Sequence, residues 1–486
     1  MAAEFGILSI GAYVPSNRIP RASIFDAVGW AQSGLKGLAK GERAYGSWDE
    51  DAITMAVEAA RSALADRQDL TPDAICFAST TAPFLDRQNA GVVAAALDAP
   101  REISAFDVSG SQRAATSALI RLADRRDGVS LLAASDRRPT KSASALEMLS
   151  GDGAAAAILG IGDPIAVLLG AHSTSADLVD HYRTSETGAD YSLEDRWFRD
   201  EGVVKLAAAT IPPLLERAGL SPKDLDHIIV PVPNSAMARA AVKAIGARPE
   251  TLADGLQGAC GHTGAAHPLL LLAHTLETAA PGAKILIAAF GQGCDAILLD
   301  VREAARDLQR RRVVSGQLEA RRVQENYPRF LVANGSLDVD WGMRAERDNR
   351  TAQSVAYSKS RDIYGFVGGR CRVCGTPQFP KSRRCVNPDC GALDSQDDYR
   401  FADEPARVKS FTEDWMAFTR EPPLLYGNVS FEGGGNAFIE MCGFGPGEIK
   451  IGSPLRMAFR IKDIDAQRGF HRYFWKGAPA WETADG

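Results

Sequence analysis

Two stretches carry residues whose type and spacing can do chemistry. Cys371, Cys374, Cys385 and Cys390 read C-x2-C-x10-C-x4-C. Two knuckles of two thiolates form a closed tetrahedral set for a structural zinc, leaving no open position for catalysis. Iron held by four thiolates is the competing occupant. Basic residues surround the set (Arg370, Arg372, Lys381, Arg383, Arg384), and they suit phosphate groups as well as an ordinary solvated rim. The other stretch is Phe106–Ile120, FDVSGSQRAATSALI. An apolar, β-rich run enters a small polar turn, and a helix is predicted from Gln112 onward. Such a turn offers unpaired N–H groups and the positive end of a helix dipole to an oxyanion or carbonyl above it.

The elements that must position these residues alternate along the chain. Residues 6–14 predict a strand, 49–66 an amphipathic helix with acidic residues at its start, and Ala74–Ala78 a buried strand. The Phe106–Ile120 unit, the strand VSLLAASD and the small-residue segment SGDGAAAAILG complete a first series. From Pro164 the order repeats as IAVLLGAH, VVKLAAATIPPLLERAG, HIIVPVP, SAMARAAVKAIG, AKILIAAFG and QGCDAILLDV. Two runs of alternating strand and helix predict two related α/β halves. Residues 303–359 are charged and predict a helical connector. After the cysteines, five short runs with Gly and Pro punctuation predict a small β-barrel.

Composition narrows the class. The chain has 486 residues, 45% hydrophobic, with a formal charge of -6, enough for several packed domains. An acidic balance without a broad basic run argues against nucleic acid as the partner. No apolar run reaches the roughly 18 residues of a membrane span, so no membrane partner is expected. The eight cysteines form no disulfide framework, which fits a cytoplasmic location.

The Phe106–Ile120 turn resembles the nucleophile turn of the thiolase superfamily, in the branch of 3-hydroxy-3-methylglutaryl-CoA synthases and initiating ketoacyl synthases. Family members carry Cys at the first helical position, followed by one residue and A-G-T or A-A-T; here Gln112 stands there, followed by Arg113 and AAT. Cys260–Pro268, CGHTGAAHP, is similar to a second family loop and places His262 at the thioester site, where an imidazole can donate to a carbonyl oxygen or accept a proton. A His that caps the next helix is the competing view, and His267 is expected to be structural. The family's H-x-P-N motif reads P-V-P-N, so Pro231 replaces its His while Asn234 matches. Thr80 falls where the branch has an acid/base Glu. Residues 364–385 and IGSPLRMAFR resemble the zinc-ribbon/OB family associated with acyl-CoA enzymes.

The resemblance implies a duplicated thiolase-like αβαβα fold followed by a rubredoxin-like zinc ribbon and an OB-type barrel. The boundaries are expected at 1–163, 164–302, 303–359, 360–400 and 401–486. It implies acyl-CoA as substrate, CoA as the bound moiety, zinc as the structural metal and a homodimer. Catalytic candidates are His262, Gln112, Tyr182 and Cys294. Substrate-binding candidates are Ser111, Arg113, Thr80, Asn234 and Gly291, and Asp86 is a further candidate base. With Gln, Pro and Thr at the three family positions, ordinary acyl-enzyme chemistry lacks its thiolate and its base. The expected activity is therefore a C–C lyase of aldolase type, working on a 3-hydroxyacyl-CoA through an enolate. The alternatives are an acyltransferase or condensing enzyme using Cys294 or Cys260, a decarboxylase (Gln for Cys occurs in decarboxylating ketosynthase domains), and a non-catalytic acyl-CoA-binding scaffold.

Overall fold

The computed structural model describes residues 4–65, 67, 69–125, 128–192, 194–350 and 352–480. They fall into two compact units. The first comprises the chain up to Ser47, Asp51–Gly91 and Arg101–Leu337; the second comprises Trp48–Glu50, Val92–Pro100 and the chain from Asp338. Among the described residues, no helix is long and apolar enough to cross a membrane.

The first unit is built on one mixed sheet of nine strands: β1 (Glu4–Tyr13), β2 (Ala74–Ala78), β3 (Ser104–Val108), β4 (Ser130–Asp136), β5 (Gly153–Gly162), β6 (Ala166–Ser175), β7 (His227–Ile229), β8 (Lys284–Phe290) and β9 (Gly293–Val301). Their order is β7-β8-β9-β6-β1-β5-β4-β2-β3. The duplication expected from the order of elements is explicit in the pairing. Strand β2 runs parallel to β4, and β4, β5 and β1 then pair antiparallel. Strand β7 likewise runs parallel to β8, and β8, β9 and β6 follow antiparallel. The halves join where Gly6 faces Val167 and Ile7 faces Ala166. The second-half counterpart of β3 shrinks to a single parallel bridge, Ile228 to Leu252.

Strands β2 and β4 are buried along their whole length, as parallel strands covered on both faces must be. Helix α1 (Ala52–Leu64), started by an Asp51/Thr54 capping box, covers β1, β4 and β5. Helices α2 (Ala114–Ala123) and α5 (His267–Leu276) share one apolar core between the halves, with Ala115, Ala118 and Leu119 alongside Leu269 and Leu272. Helices α3 (Lys205–Arg217) and α4 (Ser235–Ala244) close the outer face of the second half. The result is the five-layered αβαβα arrangement.

Two local features differ from the sequence expectation. Helix α2 starts at Ala114, two residues late, because the Ala114 N–H closes a turn onto Ser111 O at 3.0 Å. The stretch after Arg302 is not a solvated connector as far as Leu337. Val314 and Phe330 are fully buried, and Arg322–Val323 adds a short strand beside Asn17–Arg18.

In the second unit, β10 (Val367–Cys371), β11 (Pro377–Gln378) and β12 (Gln396–Arg400) form a ribbon in the order β11-β10-β12. Strands β13 (Ala406–Asp414), β14 (Leu424–Phe431), β15 (Asn436–Met441), β16 (Pro454–Asp465) and β17 (Phe470–Pro479) close into a barrel in the order β13-β14-β15-β17-β16. Val408, Val429, Ile439, Met457, Phe459, Tyr473 and Trp475 are buried, the alternation that a filled small barrel requires. This five-stranded closed barrel agrees with the OB-type expectation. Edge-on rings, Phe366 with Phe431 at 6.0 Å and Phe401 with Phe431 at 4.8 Å, knit ribbon to barrel.

Candidate active site

The parallel strands β2, β3 and β4 end together, and the segments leaving them wall a cavity of about 380 Å³. Thr80 follows β2, Ser111 and Gln112 follow β3, and Arg138 follows β4. A two-stranded hairpin, His181–Tyr182 with Tyr191–Ser192, supplies His181, Tyr182, Arg183 and Asp190 to the same wall, and Phe77 and Phe84 add apolar surface.

Two buried carboxylates set this geometry. Asp295, on β9, accepts from Arg113 Nη1 at 2.6 Å, from the Thr116 and Ser117 hydroxyls at 2.9 and 2.7 Å, and from Ser173 at 2.7 Å. Arg113 also donates to Gly291 O at 2.8 Å, as does Ser111 Oγ. Strand β9 of the second half thus anchors the Gln112 turn of the first. Gly291 has φ +151°, and a Cβ there would lie 2.6 Å from Ser111 Oγ. Only glycine allows so close an approach.

Asp136, at the end of β4, works in the other direction. It accepts from Ser79 Oγ, Thr80 N, Thr80 Oγ1 and Thr81 Oγ1, and from Ala265 N at 2.7 Å in the second-half loop. The Thr80 hydroxyl, having donated to Asp136, accepts from Arg138 Nη1 at 2.9 Å. It is a fixed dipole and not a base. Arg138 pairs with Asp190, to which Arg183 donates at 2.6 Å, and Arg183 also donates to Thr80 O. These bonds pin the hairpin over the turn.

An acid–imidazole–amide chain that sequence inspection missed borders the same cavity. His181 Nδ1 stands 2.7 Å from Asp180 Oδ2, and His181 Nε2 stands 2.9 Å from Gln112 Nε2. The carboxylate accepts only from a protonated Nδ1, so Nε2 keeps its lone pair and receives the Gln112 amide N–H. The signal in the sequence was the dipeptide Asp180-His181, an acid beside an imidazole, directly before the chosen Tyr182.

Gln112, Ser111, Thr80 and Tyr182 lie on the cavity wall; Arg113 and Gly291 lie behind it and hold the turn. Asn234 accepts from Ala236 N at 2.8 Å as the cap of α4, and Asp86 is exposed. His262 is 5% exposed and uses both ring nitrogens. Its Nε2–H donates to Pro231 O at 3.1 Å and its Nδ1 accepts from Gly264 N at 3.3 Å, while burial pushes its pKa down to about 4. The Cys294 and Cys260 thiols are fully buried, away from the wall, and burial pushes them up to about 12 and about 11.

The four ribbon cysteines come together. All four sulfurs lie within 4.8 Å of one another, with Cys374–Cys385 at 3.5 Å and Cys371–Cys390 at 3.9 Å. A tetrahedron with Zn–S bonds of about 2.3 Å has edges of about 3.8 Å, so the donor set fits zinc.

A family pattern described as the C-terminal part of 3-oxoacyl-[acyl-carrier-protein] synthase III matches residues 215–299. The hydroxymethylglutaryl-CoA synthase of Aeropyrum pernix is 32% identical over 69% of this chain and 95% of its own length. That of Methanocella arvoryzae is 31% identical over 61% and 88%. Among solved structures, HMG-CoA synthase complexed with CoA superposes with a TM-score of 0.59 at 16% identity, covering 82% of this chain and 100% of its own. The Pseudomonas aeruginosa 3-oxoacyl-(acyl carrier protein) synthase III does so at 0.55 and 22%, covering 62% and 99%. The relatives are synthases, acyl-CoA-condensing acyltransferases, and this overturns the expected C–C lyase of aldolase type: loss of the turn's thiolate did not by itself define the reaction class. On the strength of the Aeropyrum match across nearly the whole of that enzyme, the chain belongs to the hydroxymethylglutaryl-CoA synthase family of the thiolase superfamily.

Proposed function

We propose that the chain is a condensing acyltransferase acting on CoA thioesters, with the thioester carbonyl seated against Gln112. The observation that carries this is the cavity where three parallel strands end, with the Gln112 amide on its wall at the start of α2. An amide donor beside a helix N-terminus stabilises the negative oxygen that develops during acyl transfer. CoA as the bound moiety is supported by the related synthases solved with CoA and with 3-hydroxy-3-methylglutaryl coenzyme A. Ser111 and Thr80 shape the wall, and Tyr182 covers it.

The direct test supplies acetyl-CoA and acetoacetyl-CoA and follows free CoA and 3-hydroxy-3-methylglutaryl-CoA by mass spectrometry. Release of CoA that depends on both thioesters supports the reading. Failure of either thioester to bind at millimolar concentration rules it out.

The reading extends to the rest of the chain. Cys371, Cys374, Cys385 and Cys390 hold one structural zinc, which supplies folding energy to the ribbon and no chemistry to the cavity. Metal analysis should find about one zinc per chain, absent in Cys374→Ser. Boundaries at 1–163, 164–302, 360–400 and 401–486, with the connector shortened to 338–359, a homodimer through the thiolase-like unit and a cytoplasmic location complete the proposal; sedimentation checks the dimer.

A further inference from the structure

We infer that His181, oriented by Asp180, is the base that takes the proton from the acyl acceptor, so that the acyl group passes from CoA to the acceptor directly, without a stop on a cysteine. This rests on the acyltransferase reading above and names its catalytic base.

Three observations carry it. No cysteine is among the described residues that wall the cavity, and the three thiols of the first unit, Cys76, Cys260 and Cys294, are sealed in the core. The Asp180–His181 pair has the arrangement of an activated base: a carboxylate fixes the Nδ1–H tautomer at 2.7 Å and leaves the Nε2 lone pair for a proton. That lone pair is aimed at the residue that occupies the nucleophile position, Gln112 Nε2 at 2.9 Å. The hairpin bearing His181 is held in place by Arg183 and Arg138 on Asp190, so the base is built into the wall.

The step balances. An acceptor X–H enters between His181 and the thioester and displaces the Gln112 amide, which turns its N–H to the carbonyl oxygen. As X attacks, the X–H proton moves to His181 Nε2, the C–X bond forms, and the C–S bond breaks. The CoA sulfur leaves with the electron pair and takes the proton back from Nε2, giving the acylated acceptor and free CoA. His181 is the catalytic residue; Asp180 is a positioning residue.

The experiment uses the full chain with acetyl-CoA as donor and, because the acceptor is unidentified, water and hydroxylamine as probe acceptors. Acetyl-CoA binding is measured by calorimetry, CoA release by liquid chromatography, and covalent acetylation by intact mass. His181→Asn is expected to bind acetyl-CoA within about twofold and release CoA about 100-fold more slowly. His181→Gly should recover part of its rate with added imidazole, which a structural role would not allow. Asp180→Asn should lose about tenfold, with recovery in Asp180→Glu. CoA release by His181→Asn at the intact rate, an acetylated enzyme that builds up and decays at the turnover rate, or acetyl-CoA bound with no release to either acceptor would each overturn the inference. Absence of acetyl-CoA binding to the intact protein would instead overturn the acyltransferase reading beneath it.

Discussion

The first unit builds the same strand–turn–helix twice, and the copy in the first half opens onto the cavity of about 380 Å³. In the first half, β3 pairs with β2 along five residues and delivers Gln112 half-exposed at the head of α2. In the second half the matching strand is one bridge at Leu252, and the loop before α5 folds inward, leaving Cys260 and His262 buried. Each copy is anchored by a carboxylate from the other half, Asp295 for the Gln112 turn and Asp136 for the His262 loop. A duplicated scaffold thus spends one copy on a binding wall and the other on the packing that holds that wall still.

The largest disturbance is expected from removing the anchor of the open copy. Asp295→Ala removes the carboxylate that the Arg113 guanidinium and the Thr116, Ser117 and Ser173 hydroxyls share, and a severed buried pair costs roughly 3–5 kcal/mol. The urea midpoint should fall accordingly and CoA release should vanish, whereas Asp295→Asn keeps part of both. An unchanged midpoint would show that the turn is held by other contacts.

The closed copy is expected to govern acid sensitivity. Burial holds His262 at about 4, against about 6.5 in the unfolded chain. Between these values the unfolded chain binds the extra proton, so stability rises with pH. The contribution is complete above about pH 6.5 and lost as pH falls to about 4, roughly 3 kcal/mol in all. His267 is depressed in the same direction, with Arg138 and His181 disfavouring and Asp136 favouring the charge on His262. Unfolding measured from pH 4 to 7 should show this rise, and His262→Gln should flatten it. A slope equal in both proteins would assign the acid sensitivity elsewhere.

Much of this contrast was legible in the residues, and the limits are physical. The Gln112 turn, the repeated order of elements and the Cys371–Cys390 spacing each depend on local sequence, and each is present. His181 was passed over because its role depends on a hairpin folding across β2 and β4, a contact between residues 69 positions apart. His262 was assigned to the site from a loop pattern, but that pattern cannot show that Pro231 O and Gly264 N occupy both ring nitrogens. The late start of α2 followed from the Ser111–Ala114 turn, which competes with the helix for the same carbonyl.

Smaller effects sharpen the comparison further. Gln112→Ala should slow acyl transfer about tenfold to 100-fold, as loss of one oxyanion donor does, with the melting temperature unmoved. Cys294→Ala should cost only about 1 kcal/mol of stability and leave the rate intact, and iodoacetamide should not inactivate the native enzyme. Loss of rate in Cys294→Ala at intact stability would place an acyl-carrying thiol in the mechanism.

The central claim is that the thioester sits in the open copy, against Gln112. It is tested most directly by a crystal structure with S-(2-oxopropyl)-CoA, whose ketone mimics the thioester carbonyl and cannot transfer its acyl group. The ketone oxygen should lie within about 3.2 Å of the Gln112 amide nitrogen, beside His181. A ketone bound in the His262 loop, or in the second unit, would contradict the account.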